Sequence, residues 1–474
     1  MSNWAKKAIF YHIYPLGFCG APFENVKQEQ EENRIQKVIE WIPHFKALGI
    51  NAIYLGPVFE SRTHGYDTTD YGLIDKRLGS NEDFKVVCRK LHEADIKVVL
   101  DGVFNHVGRD FFAFKDLQKN GMASRYKDWF QNVNFGGSSP MGDSFYYEAW
   151  EGHYELVKLN LQSEEVRQYL LQAIGEWIDE FEIDGLRLDV AYCLDENFLR
   201  ALRQFVDGKK EDFWLMGEII HGDYSRLIKP DLLESTTNYE CYKGIYSSHN
   251  ERNYFEINYS LNRLFGQGGL YQGFDLYNFV DNHDVERLAS ILKEKKHIEN
   301  VYTLLFTIPG IPSIYYGSEW GLEGKKDKGS DKGLRPELDL LEMLKLDQKL
   351  VRHIYELSTI KKQYEALMEG LYEQIIVKNE QLLFARTCGT SKVYVALNLA
   401  DSEAVLKLKG NSNVPLMNIL GKKEEIPLEG NDYVVQVPPF SARILVAKIE
   451  VREEIDTAIK NRIGKIEEIK REIE

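Results

Sequence analysis

The chain has 474 residues, 43% hydrophobic and 28% charged, a balance that excludes global disorder and a fibrous fold. Its net charge is −15, and no basic stripe offers a surface for phosphates, which excludes a nucleic-acid partner. The aromatic fraction, 12%, is high and suits a surface that stacks on flat, neutral ligands.

Residues 1–7 lead into no long apolar stretch and no small-residue cleavage site, and no run of about 18 apolar residues offers a membrane span. Cys19, Cys88, Cys193, Cys241 and Cys388 are scattered, with no CxxC pair, as expected of buried thiols in a reducing compartment. The expectation is a cytoplasmic protein with no membrane segment.

In chain order, residues 9–14 read as a strand and 35–48 as a helix. A strand at 51–55, a helix at 81–93 and a strand at 96–103 follow. A helix starting at the cap-like Ser163 leads to a strand at 184–190. Further strands are expected at 213–220, 236–239, 276–280 and 313–316. Eight short β-rich runs separated by helices predict a closed parallel (β/α)8 TIM barrel. An open doubly wound sheet is disfavoured, because Tyr14-Pro15-Leu16-Gly17-Phe18 replaces a glycine-rich nucleotide turn.

The barrel is assigned residues 1–105 and 155–370. The segment 106–154 is too long for an ordinary loop and reads as an insertion after strand 3. Twelve of the 44 residues from 111 to 154 are aromatic. They suit a small core for the insertion, with Trp129 or Trp150 also available to line a sugar cleft. A helical stretch at 336–368 precedes period-2 runs that predict a C-terminal antiparallel β-sandwich over 371–450. In the last segment, 451–474, Val451, Ile455, Ile459, Ile463, Ile466, Ile469 and Ile473 recur every three or four residues. This predicts an amphipathic helical tail docked on protein, with a partner subunit favoured and hence a homo-oligomer.

In a barrel of this kind, residues just past the C-terminal strand ends face the active site. Asp189, Glu218 and Asp284 fall at the ends of the fourth, fifth and seventh strands. Each alone could merely cap a helix or bind loop amides. Arg187, two residues before Asp189, shares its side of the strand and is expected to keep it ionised, as a nucleophile requires. Glu218 follows an apolar run, a setting that suits a proton donor.

Four segments, Asp101-Gly102-Val103-Phe104-Asn105-His106, Gly185-Leu186-Arg187-Leu188-Asp189, Gly217-Glu218 and Val280-Asp281-Asn282-His283-Asp284, resemble the signature regions of the α-amylase family of glycoside hydrolases, in the same order. The segments 49–57, 64–71 and 310–319 agree with it. The resemblance implies Asp189 as nucleophile, Glu218 as general acid/base and Asp284 as the carboxylate that stabilises the transition state. It implies that Tyr66 stacks under the sugar at the cleavage point, that His106 and His283 hydrogen-bond its hydroxyls, and that Arg187 holds Asp189. Asp331 and Arg335 match the pair that grips the next sugar on the non-reducing side. Asp101 is read as structural support.

Within the family, Val157-Lys158-Leu159-Asn160, 217–221 and Thr237-Asn238-Tyr239 are similar to the cyclomaltodextrinase, neopullulanase and maltogenic amylase group. By this reading the chain is expected to lack the N-terminal domain by which many of those enzymes dimerise. Past the nucleophile it reads Val190-Ala191-Tyr192-Cys193, which departs from the group on the leaving-group side. The implied activity is retaining hydrolysis of α-1,4 bonds in maltooligosaccharides, cyclodextrins or starch-like glucans, with a carboxylate separation of about 5–5.5 Å. A 4-α-glucanotransferase and a catalytically silent ancillary subunit are the alternatives. No cofactor and no essential metal are expected. Asn105 matches the family's calcium-binding asparagine, but six to eight oxygens cannot be assembled around it from sequence.

Overall fold

The computed structural model describes residues 4–26, 32–327, 329–410 and 414–452. The tail predicted over 451–474 lies, but for Val451 and Arg452, outside the described residues, and its docking with it. The first of these stretches begins the barrel, whose strands are β1 (Phe10–Ile13), β2 (Ala52–Leu55), β3 (Lys97–Gly102), β4 (Gly185–Leu188), β5 (Trp214–Gly217), β6 (Ser235–Thr236), β7 (Tyr277–Asn278) and β8 (Ile311–Tyr315). All neighbours are parallel, in the order β6-β5-β4-β3-β2-β1-β8-β7. An isolated parallel bridge from Thr237 to Tyr277 joins the two ends of the sheet. The TIM barrel expected from the sequence is therefore present.

Alternation along the strands builds the interior. Phe10, Ala52, Val99, Trp214, Met216 and Tyr277 form one buried apolar cluster, with Phe10 stacked on Trp214 at 5.1 Å. Two residues further along, the same side of the strands carries His12, Tyr54, Asp101 and Arg187. The barrel is thus apolar below and polar above, and the polar layer is the floor of the site.

The helices wrap this sheet. The helix expected over 35–48 is broken into a 3-10 turn at Arg34–Gln36, a short piece at Lys37–Glu40 and α1 (Ile42–Leu48). Pro43 explains the break: it has no N–H to continue a helix but fits a helix's first turn. Helix α2 (Asn81–Glu93) has the predicted bounds, set by a capping box between Ser80 and Asp83. Helix α3 (Glu164–Phe181) buries Val166, Leu170, Ile174, Trp177, Ile178 and Phe181 on one face. The sixth strand is shorter than expected, because Asn238 turns the chain into α4 (Tyr239–Asn250) by accepting from the Cys241 N–H at 3.1 Å.

Between β3 and β4 a small antiparallel sheet forms from His106–Gly108, Ala149–Trp150 and His153–Lys158. Beyond the barrel come β9 (Leu371–Val377), β10 (Gln381–Cys388), β11 (Ser391–Asn398), β12 (Ala404–Lys409), β13 (Leu416–Asn418), β14 (Glu424–Ile426), β15 (Leu428–Glu429), β16 (Asp432–Val437) and β17 (Ser441–Ala447). They make two antiparallel sheets, β9-β10-β11-β17-β13-β14 and β12-β16-β15. Leu383, Ala396 and Leu445 of the first pack against Leu406, Val435 and Val437 of the second. Strands β13, β14 and β15 are too short to show a period, and sequence reading does not find them. Arg386 ties these sheets to the barrel: fully buried, it donates to the carbonyls of Thr307 at 2.7 Å and Gly370 at 2.8 Å.

Trp177 carries much of the contact between α3 and the barrel. Its ring stacks on Phe59 at 4.1 Å, and its Nε1 donates to the Tyr71 carbonyl at 2.7 Å. Trp177→Ala is expected to cost about 3–5 kcal/mol in urea unfolding, and a loss under about 1 kcal/mol would contradict this packing role.

Candidate active site

Arg187 organises the mouth of the barrel. Its side chain is 3% exposed, and its fork meets three carboxylates. Nη1 lies 2.9 Å from Asp101 Oδ1 and 2.8 Å from Asp189 Oδ1, while Nη2 lies 2.7 Å from Glu218 Oε1. The register explains the convergence. Asp101 pairs with Arg187 across β3 and β4, Arg187 pairs with Met216 across β4 and β5, and Asp189 and Glu218 follow directly past those strand ends. Gly217 lets the chain pass: a Cβ there would come within 2.7 Å of the Ala191 side chain.

Val190 holds the other face of Glu218. Its φ of +40° is left-handed, a strained conformation for a β-branched residue, and its N–H donates to Glu218 Oε2 at 3.1 Å. Both oxygens of Glu218 are therefore held. Tyr239 Oη lies 3.5 Å from Oε1 and accepts from Asn282 Nδ2 at 3.2 Å.

Asp284 stands apart, with its side chain 36% exposed. His283 Nε2 lies 2.9 Å from its Oδ2, and Arg335 Nη2 donates to its Oδ1 at 3.0 Å. Burial alone would raise this carboxyl. His283 and Arg335 more than offset burial and hold Asp284 well below the usual range. Arg335 also donates to Asp331 Oδ2 at 3.0 Å and to the His283 carbonyl, so the predicted sugar-gripping pair joins the same network. The His283 ring is nearly parallel to those of Tyr66 and Tyr14, at 5.6 and 6.0 Å. Tyr66 Oη donates to Asp101 Oδ2 at 2.9 Å and contacts His283 Nε2.

His106 is 1% exposed, and burial pushes its imidazole down to about 3. The Asn105 amide donates to its Nδ1 at 3.1 Å, which leaves the proton of the neutral ring on Nε2. Among the described residues no group of three or more His, Cys, Asp or Glu side chains could hold a metal ion. The aromatic insertion divides. Trp129 is core, packed on Tyr126 and Tyr169 and donating to Glu165, whereas Trp150 lies 5.6 Å from the His106 ring.

All nine predicted site residues thus meet at the C-terminal mouth of the barrel. Burial pushes the Asp189 carboxyl above its ordinary range. Arg187 opposes the shift, but Glu218 and Asp101 add to it, since one guanidinium faces three acids. Asp101 supports the site by accepting from Arg187, Tyr54 and Tyr66. His12, Tyr14, Tyr54 and Tyr239 were not singled out from the sequence. The place of His12, Tyr14 and Tyr54 at strand ends was the available signal.

Arg187→Met would leave three buried carboxyls without their cation, at an expected cost of about 3–5 kcal/mol. The Asp189 carboxyl, already pushed up by burial, would then hold a proton in the fold that the unfolded chain releases above about pH 4, so the loss must deepen as pH rises. Urea unfolding at pH 5 and pH 7 checks this, and an equal loss at both would contradict it.

Comparison with known proteins places this geometry. The family model described as "Alpha amylase, catalytic domain" matches residues 13–365. A cyclomaltodextrinase of Thermoanaerobacter pseudethanolicus is 32% identical over 94% of this chain and 78% of that protein. An intracellular maltogenic amylase of Bacillus subtilis is 30% identical over 95% of this chain and 78% of its own length. The solved structure of a debranching enzyme from Nostoc punctiforme superposes with a TM-score of 0.80 at 29% identity, covering 94% of this chain and 99% of that one. The chain belongs to the α-amylase family of glycoside hydrolases.

Proposed function

We propose that the protein is a retaining hydrolase of α-1,4-glucosidic bonds in maltooligosaccharides, cyclodextrins or starch-like glucans. The observation that carries this is the Arg187 fork, which holds Asp189 and Glu218 on one guanidinium. Carboxylates held this close suit a retaining pair, because an inverting pair needs about 6.5–9.5 Å to admit a water. In this reading Glu218 protonates the glycosidic oxygen as Asp189 attacks the anomeric carbon. Water then resolves the glycosyl-enzyme, with Glu218 as base. The first step takes its proton from Glu218. Once that proton has gone to the leaving group, Arg187 balances the carboxylate left behind.

Asp284 is kept anionic by His283 and Arg335 and faces the cleft, where it stabilises positive charge developing on the sugar ring. Tyr66 supplies the stacking face. His106 donates from Nε2 and His283 from its ring to sugar hydroxyls, and Asp331 with Arg335 grips the adjoining unit. A silent ancillary subunit is the weaker reading, because the three carboxylates are present and assembled. Glucan transfer uses the same residues and differs only in the acceptor. The names of the relatives support both α-1,4 and α-1,6 cleavage as bond types to test.

We place the activity in the cytoplasm, in line with the intracellular relative and five free cysteines. Among the described residues no helix is long and apolar enough to cross a membrane. No essential metal is proposed. A chelator is expected to leave activity and melting temperature unchanged, and a large fall in either would overturn this.

Glu218→Gln is expected to lower kcat on maltotriose, pullulan and β-cyclodextrin by about 10²–10⁴-fold, the worth of a general acid. Near-normal turnover of any of the three would refute the assigned role, and initial β-anomeric products would refute retention.

A further inference from the structure

Tyr14 follows β1 directly, and β1 lies between β2 and β8 in the barrel, so its side chain meets the loops of both neighbours. The residue is 4% exposed. Toward β2, its Oη donates to the His64 carbonyl at 2.7 Å. His64 opens the turn that carries Tyr66. Its Nδ1 accepts from the Tyr66 N–H at 3.2 Å, and Gly65 between them has a φ of +91°, a conformation that favours glycine. Toward β8, the guanidinium carbon of Arg335 lies over the Tyr14 ring, 4.5 Å from its centre. The negative face of the ring attracts such a cation, more strongly where water is excluded.

Arg335 has a use for this hold. Its Nη2 is shared between Asp284 and Asp331, and its Nε donates to the His283 carbonyl. Bonds along the edge of a guanidinium fix its position but leave its plane free to tilt. The Tyr14 ring closes one face. The backbone of Arg335 is pressed against the same loop, since a Cβ at Gly17 would collide with the Arg335 carbonyl oxygen. One aromatic residue therefore joins the turn that bears Tyr66 to the cation that serves Asp284 and Asp331.

We propose that Tyr14 is a positioning residue for the half of the site that holds the glycosyl unit being transferred. Its hydroxyl fixes the turn under Tyr66, and its ring fixes the plane of Arg335. Tyr14 acts through these groups and not on the sugar itself. This rests on the hydrolase reading above. The structural alternative is a core aromatic whose loss lowers stability and nothing else.

Two fluorides separate these cases, because each leaves as an ion and they differ only in the sugars they present. α-Glucosyl fluoride places one unit against Tyr66 and Asp284, and α-maltosyl fluoride adds the unit gripped by Asp331 and Arg335. Tyr14→Phe keeps the ring and loses the bond to His64. It is expected to lower kcat/KM about fivefold on both fluorides, with their ratio preserved. Tyr14→Leu loses the ring as well, and is expected to lower the maltosyl-to-glucosyl ratio of kcat/KM by about tenfold. An unchanged ratio in a folded Tyr14→Leu enzyme, or wild-type rates in Tyr14→Phe, would overturn the proposal. Where Tyr14→Leu does not fold, the isosteric Tyr14→Phe decides alone. A wild-type enzyme inactive on both fluorides would instead overturn the hydrolase reading.

Discussion

One guanidinium among three buried carboxylates is the constraint on which this site depends. Arg187, Asp101, Asp189 and Glu218 are all nearly inaccessible to solvent, so their charges cannot be screened by water and must be balanced by one another. Arg187 supplies one positive charge against three acids, which leaves the cluster short of cation. Burial, with Glu218 and Asp101 beside it, pushes the Asp189 carboxyl up, and Arg187 opposes them.

The barrel exists to make this arrangement cheap. Parallel strands place residues of like register side by side, so Asp101, Arg187 and Met216 form a row across three strands without any special loop. Asp189 and Glu218 then sit one step beyond, on segments bent by the strained backbone of Val190 and the bare Gly217. Asp284 is different in kind. It lies six residues past β7 on a loop pinned by Asn282, whose side chain accepts from the Asp284 and Val285 N–H groups. Its charge is set locally by His283 and Arg335, so the site has two electrostatic compartments, one around Arg187 and one around Asp284.

Much of this was legible in the sequence, for a physical reason. Strands buried on both faces read as short apolar runs, and the first charged residue after each run marks the mouth of the barrel. Asp189 and Glu218 were found in that way, and Arg187 by the period of two. What escaped was what depends on more than one strand. The second and third partners of Arg187 come from β3 and β5, and no local pattern reveals that their side chains share its fork. Tyr14 and Tyr54 read as core aromatics, and only the fold shows one against His283 and the other donating to Asp101. The two aromatic candidates in the insertion were equivalent in sequence. Their fates diverged because Trp129 docks on Tyr169 of α3 while the hairpin turn carries Trp150 to His106.

The central claim is that Asp189 is the nucleophile and Glu218 the group that serves it. Glu218→Gln incubated with α-maltosyl fluoride tests this directly, since the fluoride departs without an acid but water attack then lacks its base. The account predicts a stable adduct of one maltosyl unit by mass spectrometry, mapped to the peptide containing Asp189. Turnover with no adduct, or an adduct on any other residue, would contradict it.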